Sequence, residues 1–428
     1  MRMLHFSTND IEGGAARAAH MLHQSLCYAG VSSRMLVRRK QSNDETVREI
    51  HLLPWYSSGG RLIWRNRFFR RHLLPKPSYT FNLNTAPCID MRKFNDSTRG
   101  NVDAVCLHWI TNFLGPESIR DLYHHLRCPI FWVLMDIEPL TGGCHYSFGC
   151  NGFARRCGRC PQLGSSREKD RSRTLWEKKW ALLQGLPITF VAPTGWVERR
   201  IRESSLYSGH RVFRIPLPID TSLFRPEDQV TARDALGVPR DRKMIFFGSA
   251  KLEDPRKGMN HLRDALLALA ARLERAGSAF RAEDVLLLVA GESGGNLLDS
   301  LPFRRIELGY IREEHRLATV YQAADIFVCP SIEDAGPMMI PESMLCGTPV
   351  VAFDTGGAPD LIRHRETGYI ARYADSCDLA EGLFEMLDGR DLRPARSRAR
   401  EDALRLHNPP AIAERYASLR DELAEGGR

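Results

Sequence analysis

Short apolar segments alternate with segments of helical spacing along most of this chain. The segments with the length and composition of buried strands are 1–6, 35–37, 105–110, 244–248, 285–290, 304–308, 325–329 and 350–353. Helical spacing is found at 15–29, from 259 onward and at 342–345. Strands that alternate with helices predict parallel sheets, whose ligands bind at the carboxyl ends of the strands.

The chain is 428 residues long, which is more than one hydrophobic core usually supports, so we expect two domains. The second domain is predicted to begin after Thr194, where a variable polar region gives way to compact alternation of strands and helices. The longest unbroken apolar runs, such as 285–290, are too short to cross a bilayer. Because polar residues follow Phe6 directly, the start is unlike a secretory signal, and we expect a cytoplasmic protein.

Two acidic residues, Asp334 and Glu342, flank a turn made of Gly336, Pro337 and Met338. A buried strand precedes this turn and a short helix follows it, so free backbone N–H groups and the positive end of a helix should lie at the carboxyl edge of a sheet. An anionic group can bind there, while Asp334 accepts hydrogen bonds from hydroxyls and Glu342 holds a diol such as a ribose. Phosphate and polyol recognition in one element indicates a nucleotide-sugar site.

The segment 330–361 resembles the retaining glycosyltransferases of the GT-B fold known as glycosyltransferase family 4. Their motif is Glu-x7-Glu, followed by Gly-x-Pro-Val-Val and a Gly-Gly pair. The matching residues here are Asp334, Glu342, Gly347-Thr348-Pro349-Val350-Val351 and Gly356-Gly357. The first acid is Asp rather than Glu, which shortens its reach by one methylene group.

The resemblance implies an α/β protein of the GT-B fold, with two Rossmann-like domains facing across a cleft. We expect an acceptor-binding domain at 1–195, to which a helix within 408–428 returns, and a donor-binding domain at 196–407. The proline-containing segment 215–224 resembles the interdomain hinge of the family. By the same resemblance, transfer should retain the anomeric configuration and need no catalytic metal.

Three cations follow the strand 244–248 and precede a predicted helix: Lys251, Arg256 and Lys257. A leaving nucleoside diphosphate gains negative charge as its bond to the sugar breaks, so fixed cations at this position lower the barrier. By resemblance, Lys257 matches the family lysine that contacts the diphosphate. Since Ser249 stands where the family often has an arginine, the second charge comes from Lys251 or Arg256. A charged loop that is merely solvated is the alternative interpretation.

Two further loops complete the expected donor site. Gly13 and Gly14 lie between a strand and a helix, where paired glycines let the backbone approach a ligand, although a tight turn alone would also need them. In the family, the loop that contains Gly309 and Ile311 meets the nucleobase partly through backbone groups. Uridine and guanosine diphosphates therefore both remain candidates.

The segment 132–146 resembles family 4 enzymes of polysaccharide assembly, including colanic-acid-type transferases. Those relatives read His-Asp-x-Trp-Pro-x-Thr-Gly-Gly-Cys-His-Tyr, whereas Met135 and Glu138 stand here in place of their histidine and tryptophan. Asp136 is the first candidate for acceptor contact and His108 the second. Glu138 is a further substitute for the missing histidine, and His108 could equally be a buried core residue.

Four cysteines cluster in one glycine-rich segment: Cys144, Cys150, Cys157 and Cys160. In a reducing compartment this spacing suits a structural zinc ion that fixes a loop without its own core, and His145 could replace one thiolate. A disulfide or redox pair and unliganded thiols are the alternatives.

The net charge is +8, and the segment 50–89 contains six cations interleaved with aromatic residues but no acid. This mixture could contact anionic lipid on the inner face of the membrane and so reach a lipid-linked acceptor, or it could be a polar insertion. Nucleic-acid binding is a rival use of the basic residues, disfavoured because no other recognition motif is present.

We therefore expect a hexosyltransferase that moves a sugar from a nucleoside-diphosphate sugar to a lipid-linked or oligosaccharide acceptor in cell-surface or exopolysaccharide biosynthesis. The expected partners include no nucleic acid. A same-fold epimerase or hydrolase is one alternative, and a zinc-stabilised nucleic-acid-binding or scaffold protein is another, although the latter leaves Lys257, Asp334 and Glu342 unexplained.

Overall fold

The computed structural model describes most of the chain. The described residues are 1–50, 81, 102–275, 280–292, 298–389 and 391–425. They form two compact units, Met1–Pro218 with Pro409–Arg428, and Ile219–Asn408. The basic and aromatic segment 50–89 lies outside the described residues, apart from Ile50 and Phe81.

The first unit is built on a seven-stranded parallel sheet with the strand order β3-β2-β1-β4-β5-β6-β7. Its strands are β1 (Arg2–Asn9), β2 (Ser32–Arg39), β3 (Val47–Glu49), β4 (Ala104–Leu107), β5 (Ile130–Val133), β6 (Ile188–Ala192) and β7 (Val212–Arg214). Its helices, within the described residues, are α1 (Gly14–Tyr28), α2 (Pro116–Leu126), α3 (Arg171–Leu183), α4 (Gly195–Glu203) and, from the end of the chain, α12 (Pro409–Glu425).

The second unit is built on a six-stranded parallel sheet with the strand order β10-β9-β8-β11-β12-β13. Its strands are β8 (Lys243–Lys251), β9 (Val285–Glu292), β10 (Arg304–Gly309), β11 (Ile326–Cys329), β12 (Val350–Phe353) and β13 (Gly368–Ala371). Its helices, again within the described residues, are α5 (Gln229–Leu236), α6 (Met259–Leu273), α7 (Glu314–Ala323), α8 (Met339–Leu345), α9 (Ala358–Leu361), α10 (Ser376–Leu387) and α11 (Arg393–His407).

Alternation along β8 divides the core of the second unit into two layers. Ile245 and Phe247 pack with side chains of α6 and α10 on one face of the sheet. Met244 and Phe246 pack with side chains of α7, α8 and α11 on the other face. Since side chains on a strand alternate between faces, this apolar run is buried on both sides, as a central parallel strand requires.

The prediction of two parallel α/β domains is confirmed, and most predicted elements are present with shifted ends. The helix predicted from residue 259 begins at Met259, and the strand predicted at 350–353 is β12. The two units divide at Pro218 and Ile219, within the proline-containing segment 215–224, whereas the sequence placed the boundary after residue 195. The difference arises because β7 pairs with β6 and so extends the first sheet. No helix among the described residues is both long and apolar enough to span a membrane.

One close backbone contact joins two loops at the carboxyl edge of the second sheet. Gly258 has φ +69°, and a Cβ atom on it would lie 1.8 Å from the carbonyl oxygen of Pro330. The amide of Ile332 also donates to the carbonyl oxygen of Arg256 at 2.8 Å. The loop after β8 is therefore fixed against the loop after β11, and only glycine fits at position 258.

We expect Gly258→Ala to destabilise the second unit much more than Gly237→Ala, which serves as a matched control. Gly237 has nearly the same φ, +67°, but a Cβ there would meet nothing within 4 Å among the described residues. The control should lose about 1–2 kcal/mol for the left-handed backbone alone. Gly258→Ala adds the clash with Pro330 and should lose more than about 4 kcal/mol. Chemical unfolding of both variants measures the difference, and equal losses would contradict the importance of the contact.

Candidate functional site

Lys257 and Asp334 form an ion pair at the carboxyl edge of the second sheet. The Nζ atom of Lys257 lies 2.5 Å from Oδ2 of Asp334. Lys257 ends a short 3₁₀ turn after β8, and Asp334 lies in the loop between β11 and α8. The contact across Gly258 and Pro330 brings these loops together, so residues 77 positions apart in sequence meet.

Asp334 is held in its ionised form. Burial alone would raise the pKa of this carboxyl group, but Lys257, Arg256 and the amide of Gly336 outweigh burial and lower the pKa. The amide of Gly336 donates to Oδ1 of Asp334 at 3.2 Å, so the predicted glycine turn also orients the carboxylate. Asp334 is consequently a fixed anion beside a fixed cation.

Arg256 and Lys251, the two candidates for a second cation, have different surroundings. Arg256 is buried, and its Nη2 atom lies 2.5 Å from Oδ2 of Asp254. Asp254 also caps the 3₁₀ turn by accepting from the amide of Arg256. Lys251 is exposed at the end of β8. Lys251 is therefore the candidate whose ammonium group a ligand can reach, while Arg256 shapes the loop.

Glu342 lies in the first turn of α8 and is 3% exposed. The hydroxyl of Tyr321, from α7, donates to Oε2 of Glu342 at 3.1 Å. Pro337 and Met338 directly precede the helix, and Met338 is its N-cap residue. Tyr321 was not predicted as a site residue, because its spacing is that of an ordinary core position of a helix.

Glycines allow three other loops to approach the same edge. Gly356 has φ +60°, and a Cβ on it would lie 2.6 Å from the carbonyl oxygen of Asp334. A Cβ on Gly291, at the end of β9, would lie 2.1 Å from the carbonyl oxygen of Ser249. Gly309 ends β10 with φ +66°, and Ile311 follows two residues later. The predicted donor residues of the second unit thus lie at the carboxyl ends of three strands of one sheet, β8, β10 and β11.

In the first unit, Gly13 and Gly14 form the turn between β1 and α1. Gly13 is the N-cap residue of α1 with φ 91°, a conformation that favours glycine. A Cβ on either glycine would meet no described atom within 4 Å, so packing within the described residues does not require them. The backbone geometry explains Gly13, and nothing in the structure explains Gly14.

Asp136 is the centre of a buried hydrogen-bond network after β5. It accepts from Nε1 of Trp109 at 2.8 Å and from the amide of Glu138 at 2.9 Å. Nδ1 of His145 lies 2.6 Å from its Oδ2 atom. Burial alone would lower the pKa of His145, but Asp136 outweighs burial and raises the pKa. From the sequence, His145 was predicted only as a metal ligand, whereas the structure places it beside the first acceptor candidate.

His108 lies in the core and is 2% exposed. Its Nε2 atom lies 2.9 Å from Nδ1 of His5, and the two ring planes are only 9° apart with centroids 5.2 Å apart. Burial, with a smaller contribution from His23, lowers the pKa of His108 to about 3. His108 is therefore a neutral, hydrogen-bonded core histidine, in line with the second interpretation made from the sequence.

Cys106 joins these two histidines in a cluster whose ligand atoms all lie within 4.8 Å of one another. The rings of His5 and His108 are nearly coplanar and point at each other, so their nitrogen lone pairs do not converge on a common third point. This is the geometry of an N–H···N hydrogen bond rather than that of a chelate.

Glu138, the third substitute for the missing histidine, is neutralised by a buried lysine. Nζ of Lys179 lies 2.9 Å from Oε1 of Glu138 and also donates to the carbonyl oxygens of Glu138 and Thr141. A cavity of about 10 Å³ nearby is lined by His108, Asp136 and Glu138, among others, so the three acceptor candidates do lie close together. Because His108 and Glu138 are engaged elsewhere, Asp136 and His145 are the pair with acid-base character at this site.

Comparison with known proteins agrees with this geometry. Residues 241–389 match the model of the family described as Glycosyl transferases group 1, so the second unit contains a domain of that class. The D-inositol 3-phosphate glycosyltransferase of Saccharomonospora viridis is 34% identical over 199 residues, which cover 44% of this chain and 44% of the relative. The matched part of the chain thus spans less than half of that relative.

Solved structures match over nearly the whole length and show that the fold is GT-B. Sucrose-phosphate synthase from Thermosynechococcus elongatus has a TM-score of 0.66 at 18% identity and covers 100% of both chains. HepE of Anabaena, solved with UDP and glucose, has a TM-score of 0.63 at 16% identity and covers 98% of both chains. The predicted GT-B architecture of two Rossmann-like domains is thereby confirmed.

Proposed function

We propose that this protein is a retaining glycosyltransferase that moves a sugar from a UDP-sugar to a lipid-linked or oligosaccharide acceptor. The observation that carries the proposal is the ion pair between Lys257 and Asp334, fixed at the carboxyl edge of a parallel sheet within the glycosyl transferases group 1 domain. At such an edge, ligands bind beyond the strand ends. Lys257 supplies a cation for the diphosphate, and Asp334, 2.5 Å away, supplies an anion that can accept hydrogen bonds from sugar hydroxyls.

Each residue that binds the sugar nucleotide has a distinct role in this proposal. Lys257 and the exposed Lys251 stabilise the negative charge that develops on the leaving diphosphate. Asp334 accepts hydrogen bonds from the transferred sugar, and Glu342, oriented by Tyr321, holds the ribose diol. The departing phosphate oxygen takes the proton of the acceptor on the same face of the sugar, so retention needs no strong protein base and no catalytic metal.

Uridine is the proposed base because the similar HepE structure was solved with UDP and glucose. The backbone at Gly309 and Ile311 would meet the base after β10. For the acceptor, Asp136 and the adjacent His145 are the proposed contacts, since both are buried side by side at the carboxyl end of β5. The resemblance of 132–146 to family 4 enzymes of polysaccharide assembly supports a role in cell-surface or exopolysaccharide biosynthesis.

We expect Lys257→Met to weaken UDP binding at least tenfold, because the ammonium group loses its charge-assisted contact with the diphosphate. Lys243→Met is a matched control, since Lys243 lies on the same strand β8 but at its opposite, amino end. The control should bind UDP within about twofold of the parent, because it removes the same charge far from the proposed site. Isothermal titration calorimetry with UDP, and with GDP for comparison, measures both effects.

Equal losses in both lysine variants would show that net charge, and not the site, attracts the nucleotide. Absence of UDP binding by the parent protein, which should fold normally, would remove the donor-site proposal. Tighter binding of GDP than of UDP would overturn the assignment of the base while leaving the site in place.

A described surface of the first unit supports contact with an anionic membrane. The segment 155–214 contains 14 Lys and Arg against 5 Asp and Glu, a net +9 that exceeds the +8 of the whole chain. Trp180 is 45% exposed and stacks on Trp176, over which the guanidinium group of Arg156 lies. An exposed arginine beside a tryptophan pair that reaches the surface fits the interface of a bilayer with anionic headgroups.

We expect the protein to sediment with phosphatidylglycerol vesicles but not with phosphatidylcholine vesicles, and to be released by high salt. Replacing Arg155, Arg156 and Arg199 by Ser should reduce this binding about a hundredfold, because each cation near the surface contributes about 1 kcal/mol. Replacing Arg312, Arg316 and Arg398, which are exposed in the second unit, is the charge-matched control. Equal retention of both triple variants on anionic vesicles would contradict this membrane surface.

A further inference from the structure

The four clustered cysteines lie in a segment of the first unit that has little regular structure. Between β5 and α3 the described chain contains only three short 3₁₀ turns, at Glu138–Leu140, Gly152–Ala154 and Pro161–Leu163. All four cysteines are free of disulfides. Cys160 is buried, and Cys144, Cys150 and Cys157 are partly buried. A folded loop of this length with little regular structure gains from an additional source of stability.

Two of the four sulfur atoms accept a hydrogen bond from a backbone amide. The amide of Gly142 donates to Sγ of Cys157 at 3.2 Å, and the amide of Gly152 donates to Sγ of Cys150 at 3.4 Å. A neutral thiol is a weak acceptor and gains little from such donors. A thiolate gains much more, because hydrogen bonds to a charged acceptor are the stronger ones.

The backbone around the sulfur atoms is folded tightly. Cys157, Gly158 and Arg159 all have positive φ, at 52°, 98° and 46°, in the turn that joins Cys157 to Cys160. A Cβ on Gly158 would lie 2.1 Å from the carbonyl oxygen of Glu168, and one on Gly142 would lie 2.2 Å from the carbonyl oxygen of Ser172. This conformation is costly for Cys157 and Arg159, which carry a Cβ, so a strong local interaction must hold the turn.

We infer that Cys144, Cys150, Cys157 and Cys160 bind one structural zinc ion. Four thiolates are the ligand set of closed, tetrahedral zinc sites, which leave no open position for catalysis. Zn²⁺ is the ion expected because soft thiolate ligands without imidazole or carboxylate partners select it. On binding, each sulfur atom exchanges its proton for a bond to the metal, and the four protons pass to solvent.

The sulfur atoms of the four cysteines must move closer together when zinc binds. Among the described residues, no three of these sulfur atoms all lie within 4.8 Å of one another. In a tetrahedral site with Zn–S bonds of about 2.3 Å the sulfur atoms are closer than that. Zinc binding therefore tightens the loop.

The expected consequence is the positioning of His145. This residue directly follows Cys144 and is held by Asp136 through its Nδ1 atom. A metal bond at Cys144 fixes the chain at the neighbouring residue. His145 would then be a positioning residue for Asp136, and the metal would act through it without contacting substrate.

The test is the metal content of the intact protein, purified under reducing conditions without chelators. We expect about one zinc per chain by elemental analysis, and little zinc in Cys150→Ser and Cys157→Ser. Cys377→Ser is the matched control, because Cys377 is exposed on α10 of the second unit and lies outside the cluster. It should retain the zinc of the parent protein. Two cluster variants are used so that misfolding of one leaves a result from the other.

Replacement of the zinc by Co²⁺ provides an independent readout. Tetrahedral thiolate ligation should give intense sulfur-to-cobalt charge-transfer absorption, which the Cys150 and Cys157 variants lose and the Cys377 variant keeps. Absence of bound zinc together with absence of this absorption after reduction would overturn the inference. So would zinc that persists in both cluster variants, or a disulfide between two of the four cysteines in the freshly purified protein. UDP binding serves as a separate check of the second unit, so failure of the zinc inference is distinguishable from failure of the donor site.

Discussion

The close approach of Gly258 to the carbonyl oxygen of Pro330 is the constraint on which the donor site depends. With no Cβ at position 258, the loop after β8 rests directly on the loop after β11. The amide of Ile332 adds a hydrogen bond across the same junction. Only in this arrangement does Lys257 reach Asp334, and only then does the buried carboxylate have a cation that keeps it charged.

Much of this organisation follows from local sequence patterns. The apolar run of β11 and the glycine turn before α8 identified the strand-loop-helix element around Asp334 correctly, because turn residues and strand length act over a few positions. Lys257 was placed beside the diphosphate by resemblance to a family motif. The ion pair between Lys257 and Asp334 could have been suspected once Asp334 was expected to be buried, because a buried carboxylate needs a cation or several hydrogen-bond donors.

Interactions between distant positions were not predictable in the same way. Lys179 lies 41 positions from Glu138, and His5 lies 103 positions from His108, so no local sequence pattern predicts either contact. As a result, the sequence offered Glu138 and His108 as acceptor residues, whereas the structure engages the first with a lysine and the second with a core histidine. His145 was overlooked as an acceptor residue because it adjoins Cys144 and was considered only as a ligand.

Hydrogen-deuterium exchange with and without UDP-glucose tests the central claim most directly, namely that the donor lies between the two joined loops. The account predicts slower amide exchange in 251–258 and in 332–339 when the ligand is added, and unchanged exchange in α2 of the first unit. In Lys257→Met, the addition of UDP-glucose should no longer slow amide exchange in either loop. Saturating UDP-glucose that leaves both loops unprotected, or protects only segments elsewhere, would contradict the account.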